Sequence, residues 1–220
     1  MLGEGGIQEV SRDFARCAME LSKQHNALLI FDEIQSGLGR TGSYFAFQWW
    51  HQPSADDSSP EPIQPDILVT AKPLGGGLPM GCVIANERAA EMISPGLHGT
   101  TFGGNALACR AALEFLDVLD EELPAIRDNG DYFRRRLEEF IIRYDFVEGV
   151  RGKGLMVGLN LKVPGKAVVQ QAMEMGLLIN CTTETVLRFL PPYIIERRHI
   201  DQAVTILDKV FQQGPPAAAG

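Results

Sequence analysis

Three short apolar runs constrain the fold of this chain more than any other feature of its sequence. Residues 27–31, 67–71 and 81–85 contain no charged side chain, and glycine-rich or polar stretches follow them. Runs of this length and composition are typical of strands buried on both faces of a sheet. Because residues 8–26 have apolar side chains at helical spacing, the alternation predicts an α/β fold with a mostly parallel sheet and flanking helices.

The character of the sequence changes after Gly149. A glycine-interrupted apolar stretch at 150–161 leads into a short helical pattern at 166–175, a strand-like stretch at 177–190 and a second helical pattern at 196–212. Together they predict a smaller C-terminal α+β domain. Two amphipathic helices are expected before it, separated at Leu123-Pro124. The two predicted helices span 104–121 and 123–143. The chain is predicted to contain part of a large α/β domain at 1–145, a small domain at 146–214 and a disordered tail at 215–220.

The overall composition argues against several classes of partner. The net charge is −8, and the one dense basic stretch, Arg134–Arg136, lies in a helical pattern beside acidic residues. This argues against binding to nucleic acid or to an anionic membrane surface. No apolar run approaches the roughly 20 residues of a membrane span. Four cysteines without CxxC or other metal-ligand spacing indicate reduced thiols, no metal site and a cytoplasmic protein.

Asp32 follows the first apolar run, within the stretch FDEIQSG. Ligands of open α/β sheets bind beyond the carboxyl ends of the strands. A carboxylate at such an end, with no lysine or arginine next to it in the sequence, can pair with a cationic group of a ligand. The alternative is that Asp32 only caps the following turn.

Lys72 follows the second apolar run and precedes three glycines, in AKPLGGGLPMG. A lysine amine at the end of a buried strand is a candidate nucleophile for an aldehyde. A Walker-type phosphate loop is excluded because the lysine comes before the glycines. The alternative for Lys72 is a surface lysine at a turn.

A third stretch, HGTTFGGN at 98–105, places hydroxyl and small side chains just before a helix. The N-terminus of a helix can bind an anion such as phosphate. The alternative is that Asn105 or a threonine only caps the helix.

Together these stretches resemble successive signatures of the class III aminotransferases of fold type I. The matching segments are GEGGI, LLIFDEIQSGLGRTG, PDILVTAKPLGGGLPMG and HGTTFGGNALAC, and the resemblance runs from residue 3 to about residue 212. The group includes acetylornithine, ornithine and 4-aminobutyrate aminotransferases. The segment GLLIN followed by LRFLPP is more similar to the acetylornithine enzymes than to the 4-aminobutyrate enzymes.

The resemblance implies pyridoxal 5′-phosphate as cofactor and assigns roles to four residues. Asp32 would keep the pyridine nitrogen protonated, which makes the ring an electron sink. Gln35 would reach the phenolic oxygen of the cofactor. Lys72 would hold the cofactor covalently and then move the proton between the substrate carbon and the cofactor. Thr101 would reach the cofactor phosphate of a neighbouring subunit, so a homodimer with a shared active site is implied.

The resemblance also implies a substrate site. Arg188 would bind the substrate carboxylate in a bidentate pair. Glu4 would pair with Arg188 between substrates and so act as a gate. The alternative is that Arg188 only forms a structural salt bridge. The implied substrates are small amino acids and 2-oxo acids. An ω-amine donor such as N-acetylornithine would give its amino group to 2-oxoglutarate. The donor would become a semialdehyde, and 2-oxoglutarate would become glutamate.

The sequence departs from the family in one important respect. Members carry a further N-terminal half before GEGG, which contributes much of the cofactor and substrate site, so we expect this chain to be a C-terminal half. Two classes of function follow: a transaminase of which this is part, or an inactive fragment or partner-binding remnant. A flavodoxin-like or other nucleotide-binding protein is disfavoured because no glycine fingerprint follows the first strand.

Overall fold

A computed structural model describes residues 1–51 and 62–214 of the chain. The tail predicted at 215–220 lies outside the described residues. The contacts divide the chain into two compact units. We call them the N-unit, Val10–Gly39 with Ser43–Glu121, and the C-unit, Met1–Glu9 with Arg40–Gly42 and the residues from Glu122 onward.

The N-unit contains a three-stranded sheet with the order β1-β2-β3. The first two apolar runs form strands that pair in parallel, as the sequence predicts. The third run pairs with the second in the antiparallel direction, because segment 71–81 is shorter than the crossover of about a dozen residues that a parallel return needs. The elements are α1 (Arg12–Gln24), β1 (Ile30–Asp32), β2 (Ile67–Thr70), β3 (Cys82–Ala85) and α2 (Glu87–Ala90).

The expected break between two helices at Leu123-Pro124 is wrong. A single helix, α3, spans Ala106–Arg143 with Pro124 inside it. Proline removes one backbone hydrogen bond from a helix interior. The helix continues because its apolar stripe keeps helical spacing on both sides of the proline, with Leu119, Leu123 and Ile126 all buried.

The C-unit contains an antiparallel sheet with the order β4-β5-β7-β6. The predicted helices near 166–175 and 196–212 are present, and the strand-like stretch 177–190 forms a hairpin of two strands. The elements are β4 (Val147–Lys153), β5 (Met156–Leu161), α4 (Lys166–Glu174), β6 (Asn180–Thr182), β7 (Val186–Phe189) and α5 (Arg197–Phe211).

The core of the C-unit includes the second half of α3. Phe133, Leu137 and Phe140 are buried in one cluster with residues of β5, β7 and α5. Helix and sheet approach closely at one point, where a Cβ added to Gly130 would lie 2.3 Å from the carbonyl oxygen of Gly154. The contacts therefore group residues 122–143 with the C-unit, and the domain boundary near residue 145 stays a prediction for the complete protein.

Candidate active site

Asp32 and Lys72 follow neighbouring parallel strands of the N-unit. Asp32 is the last residue of β1 and is paired in register with Val69 of β2. Lys72 comes two residues after Thr70, the last residue of β2. The carboxyl ends of parallel strands meet at one edge of a sheet, which is where ligands bind in open α/β folds. The fold thus brings both residues to the same edge.

The carboxylate of Asp32 is exposed, and one of its two oxygens accepts a hydrogen bond. Its Oδ1 accepts a hydrogen bond from the backbone N–H of Ile34 at 2.9 Å. The turn cap considered for this residue is therefore present. The Oδ2 atom has no hydrogen bond or ion pair with the residues that the structure describes, so it can accept from a cationic donor.

Lys72 has an uncommon backbone conformation. Its φ of 52° lies in the left-handed region, and it opens a short 3₁₀ helix, Lys72–Gly75. A non-glycine residue is uncommon there, and such strain concentrates at functional sites. The side chain is exposed and forms no hydrogen bond or ion pair within the described part of the chain. Its amine is therefore available to a ligand.

Glu33 is a functional candidate that the sequence analysis missed. It is 4% exposed, and its carboxylate accepts hydrogen bonds from the Ser36 hydroxyl at 2.7 Å and from the N–H groups of Ala46 and Phe47 at 3.0 and 2.9 Å. These contacts close the loop that carries the partly exposed Gln35. The one feature of the sequence that could have indicated this role is Ser36, a hydrogen-bond donor three residues after Glu33.

Thr101 lies apart from these residues in sequence, in the turn before α3. Its side chain is exposed and has no hydrogen bond with described residues. The cap of α3 is Asn105, whose Oδ1 accepts from the N–H of Ala108 at 3.1 Å. Capping by Asn105, one of the alternatives for this stretch, is thus observed, and Thr101 takes no part in it.

Arg188 lies in the middle strand pair of the C-unit, on β7. Its side chain is 9% exposed. Its Nη1 pairs with Glu4 Oε1 at 2.5 Å, and its Nε donates to Asn180 Oδ1 at 3.1 Å. The predicted contact between Glu4 and Arg188 is confirmed. Asn180 is a second partner that the sequence analysis did not identify.

The N-terminal turn that carries Glu4 is fixed to the C-unit sheet by Ile7. Ile7 is fully buried and has a φ of 55°, which is unusual for a β-branched residue. A Cβ added to Gly158 would lie 3.2 Å from the Ile7 side chain, and one added to Gly152 would lie 3.0 Å from it. The two glycines thus leave the space that Ile7 occupies, and this places Glu4 near Arg188.

Arg40 holds the segment that follows β7. Its guanidinium stacks on the ring of Tyr193 at 4.2 Å and donates a hydrogen bond from Nη1 to the carbonyl of Pro191 at 2.5 Å. Burial lowers the pKa of Arg40, against the opposing effect of Tyr193. The same burial raises the pKa of Tyr193. The sequence analysis did not single out Arg40, since nothing in its local pattern reveals a partner so far along the chain.

Two kinds of feature are absent from the described residues. No group of three or more histidine, cysteine or acidic side chains among them could hold a metal ion. None of the helices they form is long and apolar enough to cross a membrane.

Comparison with known proteins decides the family. The family model described as "Aminotransferase class-III" matches residues 1–211. The chain belongs to the class-III aminotransferases. Members of this family depend on pyridoxal phosphate.

Individual relatives agree with this assignment. The acetylornithine aminotransferase of Methanocaldococcus jannaschii is 46% identical over 213 residues, which are 96% of this chain and 51% of that protein. The chain thus spans about half the length of the curated relatives it matches. The ornithine aminotransferase of Plasmodium yoelii has a similar structure, with a TM-score of 0.85 and 29% identity over 97% of this chain and 56% of that one.

A second solved structure is an amine transaminase from an uncultivated Pseudomonas species in the PLP-bound form. It matches with a TM-score of 0.83 and 27% identity, over 97% of this chain and 50% of that one. All three likenesses cover nearly the whole of this class-III chain. The fold type I assignment made from the sequence is confirmed.

Proposed function

We propose that this class-III chain is the C-terminal half of a pyridoxal-phosphate-dependent transaminase. The observation that carries the proposal is that Asp32 and Lys72, two oppositely charged residues at one sheet edge, each keep an atom without a hydrogen bond or ion pair among the described residues, Oδ2 of Asp32 and the amine of Lys72. A charged residue with a purely structural role would form an ion pair with a neighbouring residue. Asp32 and Lys72 instead keep atoms that can contact a ligand. Descent from a family that uses this cofactor supports the same conclusion.

The residues of the N-unit fit the cofactor. The free Oδ2 of Asp32 is an anionic acceptor for a protonated ring nitrogen, and Gln35 follows in the loop that Glu33 closes. The exposed amine of Lys72 is available for covalent attachment to the cofactor aldehyde. When bound, pyridoxal phosphate supplies an electron sink for charge that develops on the substrate carbon.

Lys72 has a second task in the proposed reaction. Transfer of an amino group requires a proton to leave one carbon and return to another, and a base at that place must do both. The amine of Lys72 would be such a base when it is not attached to the cofactor. No other lysine follows a strand of the described N-unit sheet, so we assign both tasks to Lys72.

The C-unit supplies the proposed carboxylate site. Arg188 offers a nearly buried guanidinium, on which a carboxylate forms strong charge-assisted hydrogen bonds. Glu4 occupies Nη1 in this structure and would leave when a substrate carboxylate binds. We therefore assign Arg188 to substrate binding and Glu4 to the gate.

The proposed donor is N-acetylornithine, and the proposed acceptor is 2-oxoglutarate, which becomes glutamate while the donor becomes a semialdehyde. The identity of 46% with a protein named acetylornithine aminotransferase supports this donor over ornithine or another ω-amine. A 2-oxo acid with a carboxylate beside the reacting carbon fits a site built around one arginine.

We also propose a homodimer and a cytoplasmic location. Near Thr101, the N-unit exposes large apolar side chains, with Leu97 68%, Phe102 80% and Leu107 69% exposed. Exposed apolar patches mark interfaces, and Thr101 would then reach the cofactor phosphate of the partner subunit. All four cysteines are free, as expected in a reducing compartment.

A chimera tests the central proposal. This chain is joined behind the N-terminal half of the M. jannaschii relative, and pyridoxal phosphate is added. Borohydride reduction followed by peptide mass spectrometry is expected to find the cofactor on the peptide that contains Lys72. The chimera is also expected to convert N-acetylornithine and 2-oxoglutarate into glutamate.

Two variants complete this experiment. Lys72→Ala is expected to lose both the covalent label and the turnover, whereas the matched control Lys166→Ala, an exposed lysine of the C-unit, is expected to keep both. A folded chimera that takes up no label at Lys72 would contradict the proposal. A labelled chimera without turnover would favour the remnant hypothesis over the enzyme.

A further inference from the structure

Two of the residues that hold the guanidinium of Arg188 differ in their attachment to the fold. Asn180 lies on β6 directly opposite Arg188 on β7, in register, so their side chains share one face of the sheet. Glu4 lies in the N-terminal turn, and its side chain is 78% exposed. Asn180 is therefore the fixed partner and Glu4 the exchangeable one.

The two partners also hold different atoms. Asn180 Oδ1 accepts from Nε at 3.1 Å, and Glu4 Oε1 pairs with Nη1 at 2.5 Å. A carboxylate that displaces Glu4 takes over Nη1, while Nε keeps its hydrogen bond to the amide. On the other side of Arg188 the register partner is Gly158, which offers no side-chain acceptor.

We infer that Asn180 is a positioning residue for carboxylate binding: its amide oxygen holds Nε of Arg188 and keeps the guanidinium in one orientation while Nη1 changes partners. The inference rests on the proposed role of Arg188 in substrate binding. A residue that fixed the guanidinium through Nη1 would block the exchange, and Asn180 does not touch that atom.

The choice of an amide has a chemical reason. An amide oxygen accepts a hydrogen bond but carries no net charge. It therefore orients the guanidinium without neutralising it, and the full positive charge remains for a carboxylate ligand. An aspartate at this position would also accept from Nε, but it would compete with the ligand for the same charge.

The test measures orientation and binding separately, on the 220-residue chain with glutarate as probe. The Nε–H resonance of Arg188 is assigned by its loss in Arg188→Lys, and its exchange with water reports the hydrogen bond to residue 180. Asn180→Ala is expected to speed this exchange about tenfold and to weaken glutarate binding by about three- to tenfold, which lies within the net range of one ordinary hydrogen bond.

Two further variants separate orientation from charge and from general disruption of β6. Asn180→Asp is expected to keep the slow Nε–H exchange and yet to weaken glutarate binding, because its charge competes. Thr182→Val is the matched control, since Thr182 lies on the same strand and its hydroxyl has no hydrogen-bond partner in the described residues. It is expected to change neither quantity.

Unchanged Nε–H exchange in Asn180→Ala would overturn the inference, and so would an equal acceleration in Thr182→Val. The proposed function can fail separately. If the native chain binds no glutarate while Asn180→Ala still speeds the exchange, the orienting role of Asn180 is supported and the assignment of Arg188 to carboxylate binding is wrong.

Discussion

Glu4 and Arg188 lie 184 residues apart in the chain, and their side chains form an ion pair in which the guanidinium is 9% exposed and the carboxylate 78% exposed. A nearly buried cation is costly without an anionic partner. An exposed carboxylate, in contrast, returns to water at little cost. The contact is thus built so that Glu4 can be replaced by another carboxylate.

Replacing Glu4 by glutamine tests this exchange. Glu4→Gln is expected to lower the free energy of unfolding by about 1–2 kcal/mol, since Arg188 loses its counter-charge but keeps Asn180. Glutarate is expected to bind severalfold more tightly, because it no longer competes with Glu4. Urea unfolding and calorimetric titration measure the two effects. The control is Glu9→Gln, which breaks a partly exposed pair with Lys153 and should leave glutarate binding unchanged. Weaker glutarate binding in Glu4→Gln would contradict the gate.

The sequence predicted the sheet edge of the N-unit well. Apolar runs ending at Asp32 and before Lys72 indicate buried strands, and the parallel pairing then places both residues at one edge. The positions of the strands are predicted correctly because apolar runs encode them locally in the chain. The expected burial on both faces is wrong for β1 and β3, where Ile30 is 55% and Val83 is 61% exposed. The roles of Thr101, Gln35 and Arg188 came only from family resemblance and stay proposals.

Contacts made through sheet register could not be predicted. Asn180 faces Arg188 because of the hairpin between β6 and β7, and neither residue type reveals such a pairing by itself. Pro124 is a different case, in which a local feature of the sequence predicted a helix break that the structure does not have. Packing of the apolar stripe on both sides of the proline outweighs the loss of one helical hydrogen bond.

A side chain at position 158 is expected to displace the turn that carries Glu4. A Cβ on Gly158 would lie 3.1 Å from Val186 and 3.2 Å from Ile7, closer than ordinary contact. Gly158→Ala should therefore lower the free energy of unfolding by about 1–3 kcal/mol, a usual cost of overpacking. It should also speed Nε–H exchange at Arg188, measured by NMR. Gly149→Ala, on β4 with nothing within 4 Å of the added carbon, is the control and should have little effect on either quantity. Equal effects of the two substitutions would refute this account.

The buried carboxylate of Glu33 is expected to be important for stability. Glu33→Ala leaves the N–H groups of Ala46 and Phe47 and the hydroxyl of Ser36 without their acceptor. An unsatisfied group costs about 1–3 kcal/mol when it is buried, and the N–H groups of Ala46 and Phe47 are only partly buried. A total loss of about 2–4 kcal/mol is therefore expected. Glu33→Gln should cost less, because one acceptor oxygen remains. Chemical unfolding measures both, with Glu20→Ala on the exposed face of α1 as control. A loss below that of the control would show that the loop is held by other contacts.

Asp208 is expected to make stability depend on pH in the acid range. Burial raises its pKa, but hydrogen bonds from Tyr144 and Arg143 outweigh this effect and leave the pKa below its ordinary value of 3.8. In the window between the folded and the unfolded pKa, the unfolded chain binds more protons, so stability rises with pH. The contribution of Asp208 to stability is therefore present above the pKa of the unfolded chain and is lost as the pH falls through the pKa of the folded chain.

Asp208→Asn should destabilise the protein at pH 7, and the difference in stability between this variant and the native chain should shrink as the pH falls below about 4. Urea midpoints between pH 3 and pH 7 measure this, with the exposed Asp131→Asn as control; a difference that stays constant across that range would show that Asp208 acts by packing and not by charge.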